Sequence, residues 1–176
     1  MRVGREVEYL TAYDEETEKI AGSLQSDLAE VGVRVHIRVT SLVNWQTEVT
    51  QPTGPAFSFT SWTADYPDPT NFFDPRFHSR SIKPINSTND SFYANPELDA
   101  VLDAARAELD PARRDALYRR AERILYDDAP WIWDYHRLTT DVSQPYVRGY
   151  EPHPIWIRDY TSAWLDLGPD GAPVPR

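Results

Sequence analysis

Carboxylates, aromatic rings and prolines are interleaved over residues 62–75, in the stretch WTADYPDPTNFFDP. An acidic side chain on a proline-stiffened loop loses little conformational entropy when it binds a cation. Its hydrogen bond to an ammonium group contributes about 1.5–3 kcal/mol. Asp65 is the candidate for that chemistry, with Trp62 and Tyr66 beside it. Taken alone, however, the residue types favour an Asx turn at Asp65 over ligand contact.

The same stretch does not have the arrangement of a catalytic acid pair. Asp65 and Asp68 lie three residues apart in one loop, whereas the paired carboxylates of glycosidases flank the scissile bond across a cleft. Asp68 and Asp74 each precede a proline, and both are predicted to form turns. The histidines lack the spacing of a zinc helix, and neither a Ser-His-Asp arrangement nor a glycine-rich phosphate loop is visible. These histidines are His36, His78, His136 and His153. We therefore predict no catalytic residue, no metal site and no cofactor.

Composition limits the possible partners and compartments. The 176 residues suffice for one domain, and 40% of them are hydrophobic, which favours folding over disorder. The net charge of -10 argues against a nucleic-acid partner, because phosphate binding needs clustered Lys and Arg. Cysteine is absent, which fits an oxidising compartment. No apolar run approaches the roughly 20 residues of a membrane span, and we expect any export signal to lie outside this sequence.

The first sixty residues are predicted to form a strand-helix-strand unit followed by a third strand. The predicted strands are residues 6–10, 33–39 and 57–62. Asp14 is the predicted N-cap of the intervening helix, and Gly32 is its predicted end. The apolar stripe of that helix comprises Ile20, Leu24, Leu28 and Val31. Because the joints are tight, the first two strands should be parallel. The prolines of residues 63–75 predict an irregular loop, which continues to residue 91.

Two helices are predicted in the second half of the chain. Asn95 and Asp110 are the predicted N-caps, each followed by a proline at the first helical position. Only a tight turn separates the helices, which indicates a helical hairpin. The side chains predicted to face inward are Leu98, Val101, Leu102, Ala105 and Leu109, then Leu117, Ala121, Ile124 and Leu125. Alternation over residues 131–138 predicts a further strand.

Four passages, in this order, resemble motifs of the family 5 solute-binding proteins, which serve ABC importers of peptides and nickel. Residues 23–35 resemble Q-x-x-L-x-x-x-G-[IV]-x-V, and residues 62–69 resemble W-x-A-D-Y-x-D-P. Residues 93–99 match Y-x-N-P-x-x-D, and residues 110–130 match D-x-x-x-R-x-x-x-Y-x-x-A-E-x-I-L-x-x-D-A-P. Each motif is weak alone, but the ordered set is specific to the family.

The resemblance implies an α/β fold of the type II periplasmic-binding-protein class, with a mixed sheet flanked by helices and a helical hairpin. Residues 1–144 would form the C-terminal lobe of a two-lobed protein. Residues 145–176 would return to an N-terminal lobe that this sequence lacks, which would leave Tyr146, Tyr150 and Tyr160, with Trp156, poorly covered. Met1 is the only methionine, which indicates a separately started reading frame or a designed fragment.

The resemblance also implies a role for each candidate residue. Asp65 would pair with the α-ammonium group of a peptide, and Trp62 would either line the ligand cleft or pack in the core. Tyr66 is the third candidate ligand residue, although its position also suits packing, as does that of Phe72. The implied function is capture of a dipeptide or oligopeptide outside the cytoplasm and its presentation to an ABC transporter permease.

Three alternatives stay open at this point. In the first, the protein has the same family fold but binds an oligosaccharide or a nickel chelate, and pairing with an ammonium group is unnecessary. In the second, the chain is a stand-alone interaction domain or a remnant without a transport function. In the third, the chain is a hydrolase. This alternative requires turnover by the purified chain, which we do not expect.

Overall fold

The computed structural model describes residues 5–136, 138, 140–153, 155 and 159–172. The elements in chain order are β1 (Arg5–Ala12), α1 (Glu15–Glu30), β2 (Val33–Thr40), α2 (Leu42–Val49), β3 (Phe57–Ser58), α3 (Thr70–Phe77), a 3-10 turn (Ser79–Ser81), α4 (Pro96–Ala107), α5 (Pro111–Asp128), β4 (Val147–Arg148) and β5 (Trp164–Leu165). One unit contains the chain up to Trp62 together with Pro69–Trp131, and a second contains Thr63–Asp68 together with Ile132–Arg176. Among the described residues, no helix combines the length and the apolar character needed to cross a membrane.

The predicted strand-helix-strand unit is confirmed. β1 and β2 are parallel along their whole length, and β3 pairs in parallel with the other side of β1, so the strand order is β2-β1-β3. Antiparallel pairing occurs in a separate sheet formed by β4 and β5. The resemblance implied one mixed sheet; in the described residues, the parallel pairs lie in one sheet and the antiparallel pair lies in another.

Helix α1 begins and ends where its sequence indicates. The Asp14 carboxylate accepts hydrogen bonds from the backbone N–H groups of Glu16 and Thr17, both at 3.1 Å. Gly32 follows the helix with a φ of +84°, a left-handed conformation that glycine adopts without steric cost. The helix packs on the sheet through a cluster in which Tyr9, Ala21 and Val35 are buried and Leu24, Leu28, Val33, Ile37, Phe57 and Phe59 are partly buried.

The helical hairpin is also confirmed, and it provides the larger core of the first unit. The Asn95 and Asp110 side chains cap α4 and α5 by accepting backbone hydrogen bonds, as predicted. The buried residues are Phe73, Phe77, Leu98, Val101, Leu102, Ala105, Tyr118, Ala121 and Leu125. Two predicted core positions are wrong: Leu109 is 93% exposed because it lies in the turn between the helices, and Val31 is 74% exposed because it is the C-cap of α1.

The structure forms a helix in part of the stretch predicted to be irregular. Pro69 precedes the hydrogen-bonded turns of α3, where a missing N–H costs nothing, and only Pro75 lies inside the helix. Phe73 and Phe77 lie four residues apart on α3 and are both buried, so their packing outweighs the hydrogen bond that Pro75 cannot make. Asp74 therefore lies in a helix and not in a turn, and its carboxylate forms an ion pair with Arg106.

Other element predictions are wrong for related reasons. Helix α2 was not predicted, because Leu42 and Val43 are exposed and its apolar pattern is weak. The third strand pairs only at Phe57–Ser58 instead of continuing to Trp62. Residues 131–136 and 138 form no strand, because alternation specifies a strand only where a neighbouring strand can pair with it, and Arg137 lies outside the described residues.

The loop between α3 and α4 is ordered by buried polar side chains. Asn89 is fully buried, and its side-chain nitrogen donates to the carbonyl oxygens of His78 at 3.3 Å and Tyr93 at 2.9 Å. The Ser87 hydroxyl, also buried, donates to the Asn89 carbonyl at 2.7 Å. These side-chain bonds satisfy backbone groups that regular structure would otherwise satisfy.

Candidate functional site

The carboxyl ends of the three parallel strands lie at one edge of the sheet, the edge at which ligands bind in open α/β sheets. The chain leaves this edge after Ser58 and reaches Trp62 and the Thr63–Asp68 segment. The predicted site residues therefore lie in the chain shortly after β3.

Trp62 belongs to the first unit and is half-buried. Its indole N–H donates to the side-chain oxygen of Asn71 at 3.2 Å, and Asn71 is only 4% exposed. The guanidinium carbon of Arg76 lies 5.3 Å from the centre of the Trp62 ring. The ring is thus held by specific partners while part of it stays accessible. Packing in the core and lining a ligand cleft, the two roles predicted for Trp62, are therefore compatible.

A buried ion pair, which the sequence did not reveal, lies beside Trp62. Arg76 and Asp90 are 2.7 Å apart, and their side chains are 7% and 9% exposed. Arg76 also donates to Thr60 Oγ1 and, at 2.7 Å, to the Thr88 carbonyl, while Thr60 Oγ1 donates to Asp90 at 2.7 Å. The available signal was the arginine that directly precedes Phe77 in FFDPRF, since an arginine among apolar residues requires a partner when it is buried.

Asp65 and Tyr66 belong to the second unit, and both are exposed, Tyr66 by 46%. They lie in a bend that spans residues 65–68, in which the Asp68 N–H donates to the Tyr66 carbonyl at 2.9 Å. The Asp65 side chain is therefore not enclosed in a packed interior, a placement that would have excluded it as a ligand residue. Phe72, for which a packing role was suggested, is 43% exposed on α3.

The histidines are dispersed among different environments. The His36 side chain is 70% exposed on β2, and His136 is exposed outside any strand, contrary to its predicted strand position. His78 is buried, with Nδ1 3.1 Å from Asp99 and Nε2 3.4 Å from Asp103. The N–H of Ile155 donates to Nδ1 of His153. Within the part of the chain that the structure describes, no three His, Asp or Glu side chains are grouped so as to hold a metal ion.

The structure joins two of the sequence motifs through one carboxylate. The Tyr93 hydroxyl and, at 2.7 Å, the Asn95 side-chain nitrogen both donate to Asp128, which lies at the end of α5. These hydrogen bonds, that of Tyr93 first, lower the pKa of the Asp128 carboxyl against an opposing effect of desolvation. Desolvation, followed by the bond to Asp128, raises the pKa of Tyr93 to about 12. The cluster ties the start of α4 to the end of α5, which is a structural role.

Replacing Tyr93 with Phe is expected to flatten both limbs of the dependence of stability on pH. The Asp128 contribution is present above its unfolded-state pKa, near 4, and is lost as the pH falls through the lower folded-state value. The Tyr93 contribution is present below pH 10 and is lost between pH 10 and about 12. Thermal unfolding followed across both limbs measures the change. Tyr126→Phe, which alters a 74% exposed tyrosine of α5, should keep the wild-type profile; a Y93F profile like the wild type would contradict the assignment.

The described fold is that of a periplasmic binding protein. It superposes on the ABC transporter-associated periplasmic binding protein DppA of Helicobacter pylori, solved in complex with the peptide STSA, with a TM-score of 0.78 and 24% identity. The superposition covers 93% of this chain and 32% of that one.

Residues 3–84 match the model of the bacterial extracellular solute-binding proteins, family 5 middle. Di/tripeptide-binding protein 2 of Pseudomonas aeruginosa is 31% identical over 150 residues, which are 84% of this chain and 27% of that protein. Heme-binding protein A of Haemophilus influenzae is 28% identical over 137 residues, which are 78% of this chain and 24% of that protein. The chain is therefore a partial family 5 solute-binding protein, and it spans about a quarter of the length of the curated relatives it matches.

Proposed function

We propose that this chain contributes one face of a binding site for a short peptide, which an ABC importer then takes up. The supporting observation is the exposed Asp65 carboxylate in the bend that follows the carboxyl edge of the sheet. The similarity to a di/tripeptide-binding protein supports the ligand class. The relatives are binding proteins, and we propose that this chain likewise binds its ligand without turnover, outside the cytoplasm, for a permease.

In this proposal Asp65 pairs with the α-ammonium group of the peptide, and Trp62 and Tyr66 contact the peptide beside it. The bond between the Asp65 carboxylate and the ammonium group would be a charge-assisted hydrogen bond, which contributes about 1.5–3 kcal/mol. Binding by the chain alone should be weak, on the order of millimolar, because one face cannot bury most of a ligand.

Replacing Asp65 with Asn is expected to abolish the preference for a free amino terminus. NMR titration of the isotope-labelled chain with trialanine should show saturable shifts in the 65–68 bend, and N-acetyl-trialanine should bind about tenfold more weakly or worse. In D65N the two peptides should bind equally weakly. Asp141→Asn changes the same charge at another exposed aspartate of the second unit and should behave as wild type. Equal binding of the two peptides by the wild-type chain, or a preference that survives in D65N, would refute the role of Asp65.

A ligand without an amino group is the second candidate, which the similarity to heme-binding protein A favours. The oligosaccharide alternative belongs to the same group. For such a ligand the affinity should be the same in D65N as in wild type, while Trp62→Ala should weaken it, because stacking on an aromatic ring does not require the carboxylate. The two series of variants thus separate the ligand classes.

We further propose that a lobe absent from this sequence covers the tail. Large apolar side chains are exposed in the tail, residues 145–176, where those described are Tyr160, Trp164, Leu165 and Leu167. The segment before it also exposes Ile132, Trp133, Tyr135, Leu138 and Val142. Monomeric proteins seldom leave so many large apolar groups uncovered. Tyr150 and Tyr160 stack at 5.4 Å, Tyr146 is half-buried, and Trp156 lies outside the described residues.

Limited proteolysis should cleave residues 132–167 of the isolated chain before it cleaves the α4–α5 hairpin. The hairpin core is buried, so cleavage there requires unfolding, whereas most of the described residues between 132 and 167 are exposed. Mass spectrometry of the early fragments identifies the first cleavage sites. A tail as resistant as the hairpin would count against the missing cover.

A further inference from the structure

The chain passes between the two units at three places, and tryptophans stand at two of them. Trp62 is the last residue of the first unit before the Thr63–Asp68 segment, and Trp131 is the last before Ile132. Trp62 leads directly into the segment that carries Asp65.

One buried cation contacts both rings. The guanidinium carbon of Arg76 lies 5.3 Å from the ring centre of Trp62 and 5.0 Å from that of Trp131, and Arg76 is 5% exposed. An arginine within about 6 Å of a ring centre is attracted to its electron-rich face, and the attraction grows when water is excluded. Trp131 also packs on Phe77 of α3, with ring centres 4.7 Å apart.

The guanidinium is fixed by groups from two other parts of the first unit. Its Nη1 donates to the Thr88 carbonyl, and its Nη2 donates to Asp90 and Thr60. Its Nε is buried and has no hydrogen-bond partner among the described residues, so the burial of this arginine is not explained by its hydrogen bonds alone.

Besides Arg76, Asn71 holds the Trp62 ring by accepting its indole N–H at 3.2 Å, whereas the sheet does not reach Trp62. The β3 ladder ends at Ser58, four residues earlier, and the Thr60 side chain bonds to Asp90 and Arg76 instead of the backbone of a neighbouring strand. We propose that Arg76 is a positioning residue: it sets the orientation of Trp62 and Trp131 together, and through Trp62 it sets the ligand-facing part of the site. The ligand-facing role of Trp62 rests on the proposed function, whereas the coupling of the two rings does not.

The coupling is tested with the indole N–H signals of the tryptophan-labelled chain, assigned through W62F and W131F. In R76M/D90N, which removes both buried charges, the Trp62 and Trp131 signals should shift or broaden together. The Trp45 signal should stay in place, because its indole N–H donates to Ser58 Oγ at 2.9 Å and its ring does not stack on the Arg76 guanidinium. R76K, which keeps the charge but loses the planar guanidinium, should give intermediate changes and provides a second variant if the first unfolds.

Arg114→Met is the matched control. Arg114 also stacks on an aromatic ring, but that ring is Tyr118, whose centre lies 5.0 Å from the guanidinium carbon. Its loss should leave both indole signals unchanged. Unchanged Trp62 and Trp131 signals in R76M/D90N, a change in only one of them, or an equal change at Trp45 would overturn the proposal.

Peptide binding provides the functional readout. In R76M/D90N the affinity for trialanine should fall by about 3- to 30-fold, while the preference over N-acetyl-trialanine persists because Asp65 is intact. If Arg76 has only a structural role, the folded R76M/D90N variant should bind trialanine with unchanged affinity. That result would refute the proposed effect of Arg76 on ligand binding. If the wild-type chain binds no trialanine, the proposed function fails, and the indole signals still decide whether Arg76 couples the two rings.

Discussion

Replacing Arg76 with Met is expected to lower the free energy of unfolding by about 3–5 kcal/mol, because the substitution leaves the Asp90 carboxylate buried without its partner. A loss of that size corresponds to a decrease in Tm of roughly 6–20 °C in a chain of this length. The Asp90 side chain is 9% exposed, so water cannot replace the guanidinium without opening the loop around residues 87–90. Denaturant unfolding followed by circular dichroism measures the loss.

Two further variants distinguish this effect from the simple loss of a charge. In R76M/D90N no charge is buried unpaired, and a large part of the stability should return, since a neutral pair of similar volume is often as stable as a buried ion pair. Lys19→Ala breaks the exposed Lys19–Glu15 pair, whose side chains are 75% and 85% exposed, and should cost no more than about 0.5 kcal/mol. If R76M and K19A proved equally mild, the ion pair would not be desolvated as the geometry indicates.

Replacing Leu102 with Ala is expected to cost about 2–5 kcal/mol. Leu102 is 1% exposed in the hairpin core, so the substitution removes apolar contacts and leaves a cavity that its neighbours fill only partly. The expected decrease in Tm is roughly 4–20 °C. Thermal unfolding followed by circular dichroism at the helical band measures it, because the hairpin contributes much of the helix content.

Leu109→Ala is the control for that prediction. The sequence pattern placed Leu102 and Leu109 on the same buried stripe, but Leu109 is 93% exposed in the turn between α4 and α5. Its truncation should change the stability by no more than about 0.5 kcal/mol. Equal losses for the two leucines would contradict the burial of one and the exposure of the other.

The local signals of the sequence were sufficient wherever an element is defined by its own residues. Asp14, Asn95 and Asp110 were identified as caps because a cap needs only a short side chain next to the first free N–H groups. Gly32 was identified as a helix end because its left-handed conformation is a local requirement. The parallel pairing of β1 and β2 followed from the tight joints of the unit.

Patterns misled where a distant partner decides the structure. Within the described residues, the alternation of residues 131–136 has no strand to pair with. The prolines near α3 were outweighed by the burial of Phe73 and Phe77 against the hairpin. The Arg76–Asp90 pair joins residues fourteen apart, so no short-range pattern reveals it. For the candidate site, Asp65, Trp62 and Tyr66 were predicted from the sequence together with its resemblance to the family, and they stay a prediction, whereas the partners of Trp62 became visible only in the structure.

By itself, the sequence determined the helical hairpin, the strand-helix-strand unit and the motifs of the family, because caps, periodicity and turn residues act over a few positions. Only the tertiary structure decided which charges are buried together, where β3 ends and what holds Trp62. Those features depend on desolvation and packing between segments far apart in the chain, and the free energy of burying a charge is set by the partners that folding brings to it.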